Sequence, residues 1–318
     1  MNNLLRQMCD DNGVFLRREA LGMGLDQKTI TRLARDGTFH RVRHGAYTFG
    51  DIWRVSTPEQ RHRITARAVL RTARSEALLS HVSAALEYAV PIWGMPLDEV
   101  HTTRRDGHAG RREAGIRHHQ GLLVPGDLHE LDGIPLTSAT RTAVDLTTVA
   151  DAEHALVPIN AMLHQGLMTV EAFLTRLEKA EHWPDTLSAH VVKRLLNPKC
   201  ESPGESRTDY ICWASGLPRP EAQVEIRDDQ GRLVARVDFA WPDRGVFLEF
   251  DGRVKYQKLL RPGEDPTDVV IREKRREERV CEVTGWRCIR ITWSDLADPD
   301  RLAARIRAMW RDGPQFAA

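Results

Sequence analysis

Two runs of strict alternation, separated by four residues, constrain the fold of this chain more than any other feature. Leu233, Ala235, Val237, Phe239 and Trp241 are apolar at every second position, with Arg236 and Asp238 between them. Such period-two patterning marks a strand with one face on a core. Beyond residues 242–245 the pattern resumes as Val246, Leu248 and Phe250, leaving Glu249 and Asp251 on the other parity. If 242–245 turn the chain, Trp241 pairs with Val246, and the same register sets Asp238 against Glu249. Directly opposed residues hold their Cβ atoms about 4.5–5.5 Å apart. Two carboxylates so placed repel, and a divalent cation between them removes the repulsion. Mg²⁺ (or Mn²⁺) suits such an oxygen set, and it can polarise a phosphate and acidify an attacking water. The competing reading is that the turn differs and Asp238 meets Arg236 or an arginine of the basic helix that follows.

Around this pair the patterning predicts a helix over 205–215 with Glu205 in its first turn, and strands over 222–227, 233–241 and 246–251. A basic helix over 268–284, a strand over 286–293 and a helix over 299–310 follow. Helix, three-strand meander, helix, strand, helix is the minimal core of the PD-(D/E)xK nuclease fold, although many α/β domains share the order.

At the other end, short helices over 3–10, 17–23 and 27–35 precede a hairpin of 39–42 and 46–49 around Arg43-His44-Gly45. Asp26 is placed to cap the third helix, which stops at Asp36-Gly37. Three helices and a hairpin read as a winged helix-turn-helix, whose third helix enters the major groove. Gln27, Lys28, Thr31, Arg32 and Arg35 project from that helix, while Ile30 and Leu33 face inward. The wing carries His40, Arg41, Arg43 and His44. Such basic and amide side chains suit phosphate and base contact. The alternative use of a tri-helical module is protein contact.

Residues 57–198 read as an α+β connector with no chemistry of their own. His118-His119 is the one tempting pair there, but neighbours on a strand point to opposite faces, which argues against a shared metal. The fold class is therefore multidomain α+β: a winged helix over 1–56, an α+β middle domain over 57–198, and a restriction-endonuclease-like α/β domain over 199–318.

Bulk properties set limits on partners. With a net charge of +1 the chain is not a polycation, so DNA contact must be a patch. Arg61, Arg63, Arg67, Arg71 and Arg74 form one candidate cluster, and Arg272, Lys274, Arg275, Arg276 and Arg279 another. The competing reading of each is a solvated helix face. No run approaches the roughly 18 apolar residues of a membrane helix, so no membrane partner is expected. Five cysteines without a CxxC pair favour a reducing, cytoplasmic setting over a disulfide framework or a zinc site.

Val237-Asp238-Phe239-Ala240-Trp241-Pro242, Leu248-Glu249-Phe250-Asp251-Gly252 and the later run from Gly285 to Trp293 resemble the C-terminal domain of Vsr-like endonucleases. The likeness spans about 202–310. Arg32-Leu33, the run from Asp36 to Val42, and Gly45-Ala46-Tyr47 resemble the winged helix of AbiEi-type antitoxins. Ser80-His81-Val82-Ser83-Ala84-Ala85 and the run from Leu136 to Thr142 extend that likeness into the middle domain. The arginine-rich style is similar to actinobacterial proteins.

The first resemblance implies that Asp238 and Glu249 are the two motif acids, with Glu205 the acid of the first helix and Asp251 joining the metal shell. The motif lysine should stand two residues after Glu249, where this chain has Asp251. Lys255 has the right parity, but six extended residues span about 20 Å, which leaves Lys274 to orient water or stabilise phosphate charge. Two functions are implied. One is a Mg²⁺-dependent endonuclease acting on double-stranded DNA. The other is a non-catalytic AbiEi-like antitoxin and autorepressor, with a cognate toxin protein as partner.

Overall fold

The computed structural model describes residues 2–73, 76–106, 109–252 and 266–311. Arg74, Lys255 and residues 256–265 lie outside them. The protein is a mixed α/β chain whose contacts divide it into two compact units. One is Met1–Pro158 with Gly166–Lys193, the other Ile159–Gln165 with Arg194–Ala318.

The first unit opens with α1 (Asn2–Asn12), β1 (Phe15–Leu16), α2 (Arg17–Gly22), α3 (Gln27–Arg35), β2 (Phe39–Arg43) and β3 (Ala46–Phe49). The expected helices and hairpin form, and β1 adds a third strand in the order β1-β3-β2. Asp26 caps α3, accepting from the Thr29 amide at 2.6 Å. Ile30 is wholly buried among Leu5, Phe15, Phe39 and Phe49, which turns the polar side of α3 to solvent.

The chain continues through α4 (Gly50–Val55), α5 (Pro58–Thr72), β4 (Ala77–Leu79) and α6 (His81–Glu87). Five more strands follow: β5 (Val100–Arg104), β6 (Arg111–Glu113), β7 (Ile116–His119), β8 (Leu128–Leu131) and β9 (Ile134–Thr137). With β4 they make a mixed sheet in the order β6-β7-β5-β4-β9-β8. Helices α7 (Ala139–Leu146), α8 (Ala152–His164), α9 (Val170–Glu178) and α10 (Leu187–Leu195) come next.

The boundary expected at 56/57 falls inside this unit. The reason is a shared core: Ile64 and Ala68 of α5 pack with Val14, Leu16 and Ala46 of the N-terminal module. The arginines of α5 are likewise committed inward. Arg63 and Arg67 both bond Glu87, whose side chain is 1% exposed, at 3.1 and 2.9 Å. Arg71 donates to the Val14 carbonyl and to Glu19. Arg61 donates to the Trp53 carbonyl at 3.0 Å. From sequence the cluster reads as a DNA patch or a solvated helix face; its described members are instead paired within the unit.

The second unit holds α11 (Pro203–Ala214), β10 (Glu221–Arg227), β11 (Leu233–Trp241), β12 (Val246–Phe250), α12 (Pro266–Thr284), β13 (Arg287–Ile291) and α13 (Pro299–Arg311). Its sheet runs β10-β11-β12-β13, antiparallel until the last pair, which is parallel. Trp241 pairs with Val246 as the spacing required, and Phe239 with Leu248.

One expectation is corrected. The apolar residues of β11 do not share a face. Phe239 and Trp241 pack with Val246, Leu248, Phe250 and residues of α11 and α13. Ala235 and Val237 pack with Phe247 and with Val280 of α12, while Leu233 is 55% exposed. The alternation switches at Asp238. Opposite it on β10, Gln223 takes a left-handed φ of 53°, and the ladder pairs Ala222–Phe239 and Val224–Val237 flank the break. Such a local irregularity re-aims side chains and bends the strand.

Candidate functional site

The second unit gathers a row of polar side chains around this break. Continuing the register Trp241–Val246, Ala240–Phe247, Phe239–Leu248 brings Asp238 level with Glu249. Glu249 in turn pairs with Arg290 of β13. The row across the sheet is therefore Gln223, Asp238, Glu249, Arg290.

Asp238 Oδ2 accepts from the Phe250 amide at 2.8 Å. Glu249 is 8% exposed. Arg276 of α12 donates to its Oε1 at 2.7 Å, and Arg290 approaches Oε2 at 3.9 Å. Burial pushes the Glu249 carboxyl above its ordinary range. Arg276 opposes that shift and the charge of Asp238 adds to it. The basic helix thus supplies an arginine to the acids, Arg276 to Glu249, in keeping with the competing reading that an arginine of this helix meets the acid pair.

Glu205 arrives at the head of α11. Ser202 caps that helix, accepting from the Glu205 amide at 3.2 Å. Gly204 lets the helix end close onto β12, since a Cβ there would collide with the Phe250 ring. The Glu205 carboxylate accepts from Ser202 Oγ at 2.6 Å, from the Glu201 amide at 2.9 Å and from Gln223 Nε2 at 2.9 Å. It ties the helix to the break in β10. Asp251 follows β12, its amide bonding the Ile291 carbonyl at 2.7 Å.

Lys274 is not brought to the acids. Its side chain is 77% exposed and stands 4.0 Å from Glu278. Residues two apart on a helix lie about 200° apart, so the face that carries Arg276 inward carries Lys274 away. Arg276 and Arg290 reach Glu249; the competing reading allows an arginine of the basic helix at the acids without naming which one, and it does not anticipate Arg290. Only the packing of α12 and the parallel register of β13 reveal them.

On the N-terminal module, Gln27, Lys28, Thr31, Arg32 and Arg35 all reach solvent to some degree, as do Arg41, Arg43 and His44. Gln27 accepts from Arg17 at 2.5 Å, and Arg41 bonds His44 at 3.1 Å. His40 instead stacks on Trp53, with ring centroids 4.2 Å apart.

The first unit also holds a polar cluster that the sequence did not signal. His81, His101 and His119 each offer a ring nitrogen within 4.8 Å of the others. His119 Nε2 and His101 Nδ1 are hydrogen-bonded at 3.0 Å, and the His81 and His119 rings stack at 3.6 Å. His118 points the other way, to Thr102 at 2.8 Å, so the adjacent histidines do diverge. The partners of His119 come from β5, which runs parallel to β7, and from the start of α6. Spacings of 20 and 18 residues on three elements carry no recognisable ligand motif. Burial pushes both His101 and His119 down to about 3, and the wholly buried His81 well below its ordinary value. All three imidazoles are neutral at ordinary pH.

Behind them, Asp145 Oδ1 accepts from Arg141 at 2.7 Å. Arg141 and Arg176 jointly hold Asp127 at 2.8 and 2.7 Å. Burial pushes the Asp145 carboxyl up to about 6 against the pull of Arg141. Its Oδ2 stands 3.9 Å from His81 Nδ1, which is not an ion pair because that imidazole is neutral.

No family model matches the chain. Two proteins from strains of Mycobacterium tuberculosis, both described as uncharacterized, are 26% identical to it over 229 residues. The match covers 71% of this chain and 80% of theirs. Among the described residues, no helix is long and apolar enough to cross a membrane.

Proposed function

We propose that this protein binds double-stranded DNA and that its second unit is a divalent-metal-dependent phosphodiesterase of the PD-(D/E)xK type. The observation that carries the reading is the level placement of Asp238 and Glu249 on neighbouring strands, with Glu249 buried beside a like charge. The order of elements from α11 to α13 agrees with that fold. Asp238 and Glu249 would hold Mg²⁺ or Mn²⁺ through oxygen, the donor such ions prefer, with Asp251 two residues on. When bound, the ion polarises the phosphate and acidifies an attacking water.

The remaining work falls to side chains of this chain. Arg276 and Arg290 are permanently charged and cannot serve as bases. They can hold a phosphate oxygen as negative charge develops on it. Glu205 positions the site by fixing α11 and Gln223 beside Asp238. Because Lys274 faces away, an arginine takes the electrostatic part expected of a lysine. The exposed side chains of α3 and the β2–β3 hairpin suit DNA contact in the manner of a winged helix-turn-helix.

A second reading has an observation of its own. Arg276 already neutralises Glu249 at 2.7 Å, so the acids can be satisfied without any cation. That favours a non-catalytic DNA-binding repressor of the AbiEi-like antitoxin kind, with a toxin protein as its partner.

The deciding experiment is cleavage of supercoiled and linear DNA with Mg²⁺ or Mn²⁺, with Glu249→Gln as the paired control. Nicking by the wild type alone supports the enzyme. Salt-dependent binding without cleavage by either supports the repressor.

A further inference from the structure

We infer that His81, His101 and His119 form a transition-metal site, of the Zn²⁺ class, that is separate from the row of acids. Three observations converge on it. The first is donor placement. His101 and Thr103 share a face of β5, and the parallel register sets Thr103 against His119 of β7. His81, at the start of α6, lays its ring on that of His119. Ligand atoms within 4.8 Å of one another compare with about 3.4 Å in a closed tetrahedral set, as Zn–N bonds of about 2.0–2.1 Å require. Small side-chain rotations close the difference.

The second observation is a pair of buried polar atoms in need of a partner. Asp145 Oδ2 and Thr103 Oγ1 have no hydrogen-bond partner among the described residues, and both residues are 1% exposed or less. An unmatched buried polar atom in a native fold calls for an explanation such as an ion or water. His81 Nδ1 bonds Ser80 Oγ at 2.9 Å in this structure, and Asp145 Oδ2 lies 3.9 Å from the same nitrogen, near enough to take it over with a small turn of the ring. A carboxylate accepting from the far ring nitrogen is the usual support of a metal-bound imidazole, fixing its tautomer and orientation. Thr103 stands beside His119 in the register, on the same face of the sheet as His101.

The third is backbone strain. His81 takes a left-handed φ of 51°, a region that residues other than glycine occupy at an energetic penalty and chiefly at functional sites.

Three imidazoles without thiolate suit zinc, cobalt, nickel, copper or iron and are a poor set for Mg²⁺. Three protein ligands plus an open position is the arrangement of catalytic rather than structural zinc sites. Cysteine spacing argued against zinc in this chain, and the histidines supply the ligands instead.

The test uses the full chain, stripped with EDTA and titrated with Zn²⁺ and Co²⁺. One equivalent of Zn²⁺ should bind with excess Mg²⁺ present, and Co²⁺ should give visible d–d bands with no near-ultraviolet thiolate band. His119→Gln and His101→Asn should abolish stoichiometric binding, while Glu249→Gln should leave it unchanged. Asp145→Asn, which keeps the shape of the site, should weaken Zn²⁺ by about tenfold to a hundredfold. Where a histidine variant fails to fold, the wild-type Co²⁺ spectrum decides, because a thiolate band would assign the metal to cysteines and overturn the inference. Absence of stoichiometric Zn²⁺ in the wild type, or equal binding by folded histidine variants, would overturn it too.

Discussion

Replacing Arg276 with methionine tests whether the acids of the second unit are a cation site or a closed ion pair. The substitution removes the guanidinium 2.7 Å from Glu249 while keeping much of its apolar stem. Glu249 has an 11% exposed side chain and Arg276 a 30% exposed one. Stripping one partner from a fully buried pair costs about 3–5 kcal/mol. Here Arg276 is partly in solvent and Arg290 remains 3.9 Å away, so about 2 kcal/mol is the expected loss.

The loss should depend on pH. Arg276 is the strongest influence holding the raised Glu249 carboxyl down, so its removal lets that carboxyl climb further. A group whose folded pKa exceeds its unfolded value contributes stability at low pH that is lost as pH rises through the folded value. Urea titrations followed by circular dichroism should show the deficit of Arg276→Met larger at pH 8 than at pH 5.5. Adding Glu249→Gln should relieve most of it at pH 8. If Asp238 and Glu249 take a divalent cation, Mg²⁺ at ten times its Kd should return about 1.4 kcal/mol to the variant. A deficit equal at both pH values, or unrelieved by Glu249→Gln, would refute the account of Glu249 as a strained buried carboxylate. A pH-dependent deficit that Mg²⁺ leaves untouched would remove the metal and leave the repressor reading.

Other expectations follow from the same structure. Arg141→Met leaves Asp145 and half of the Asp127 pairing unmatched in the first unit, and should destabilise the chain by about 3–5 kcal/mol in urea titration; a loss below about 1 kcal/mol would show that this network is solvated rather than buried. His101 and His119, held down near 3, contribute stability that is complete above their unfolded value and lost as pH falls from about 6.5 towards 3. Each should add at most about 1.4 kcal/mol per pH unit to the metal-free acid slope, and His119→Gln should remove its share in urea titrations from pH 7 to pH 5. Replacing Lys28 or Arg32 with alanine should weaken DNA binding and lower the log–log salt slope by about 1 for each phosphate no longer neutralised. An unchanged slope in fluorescence anisotropy would take that face of α3 off the DNA.

Much of the local structure was legible because it depends on neighbours in sequence. The cap at Asp26, the stop at Gly37 and the four residues between Trp241 and Val246 bring out α3, the hairpin and the acid register to within a few residues. What escaped depends on contacts distant in sequence. That Phe239 and Val237 enter different cores coincides with a left-handed backbone at Gln223 on the neighbouring strand. That Arg276, and not Lys274, meets Glu249 follows from how α12 is rotated as it packs. The histidine cluster needs the parallel pairing of β5 with β7, which no alternation within either strand announces. The packing across residue 56 was not legible because a charged helix such as α5 hides its apolar side, Ile64 and Ala68, among its arginines.

The bond from the Phe250 amide to Asp238 has a bearing on descent. What β12 needs at that point is an oxygen to accept a hydrogen bond, not a negative charge, and an asparagine turned the right way supplies one. An asparagine at position 238 would therefore keep this one bond between β11 and β12 while removing the ionisable group. If the row of acids holds a metal as proposed, a relative with Asn there would keep the strand-to-strand bond and lose a charged ligand, so the position would separate retained architecture from retained chemistry.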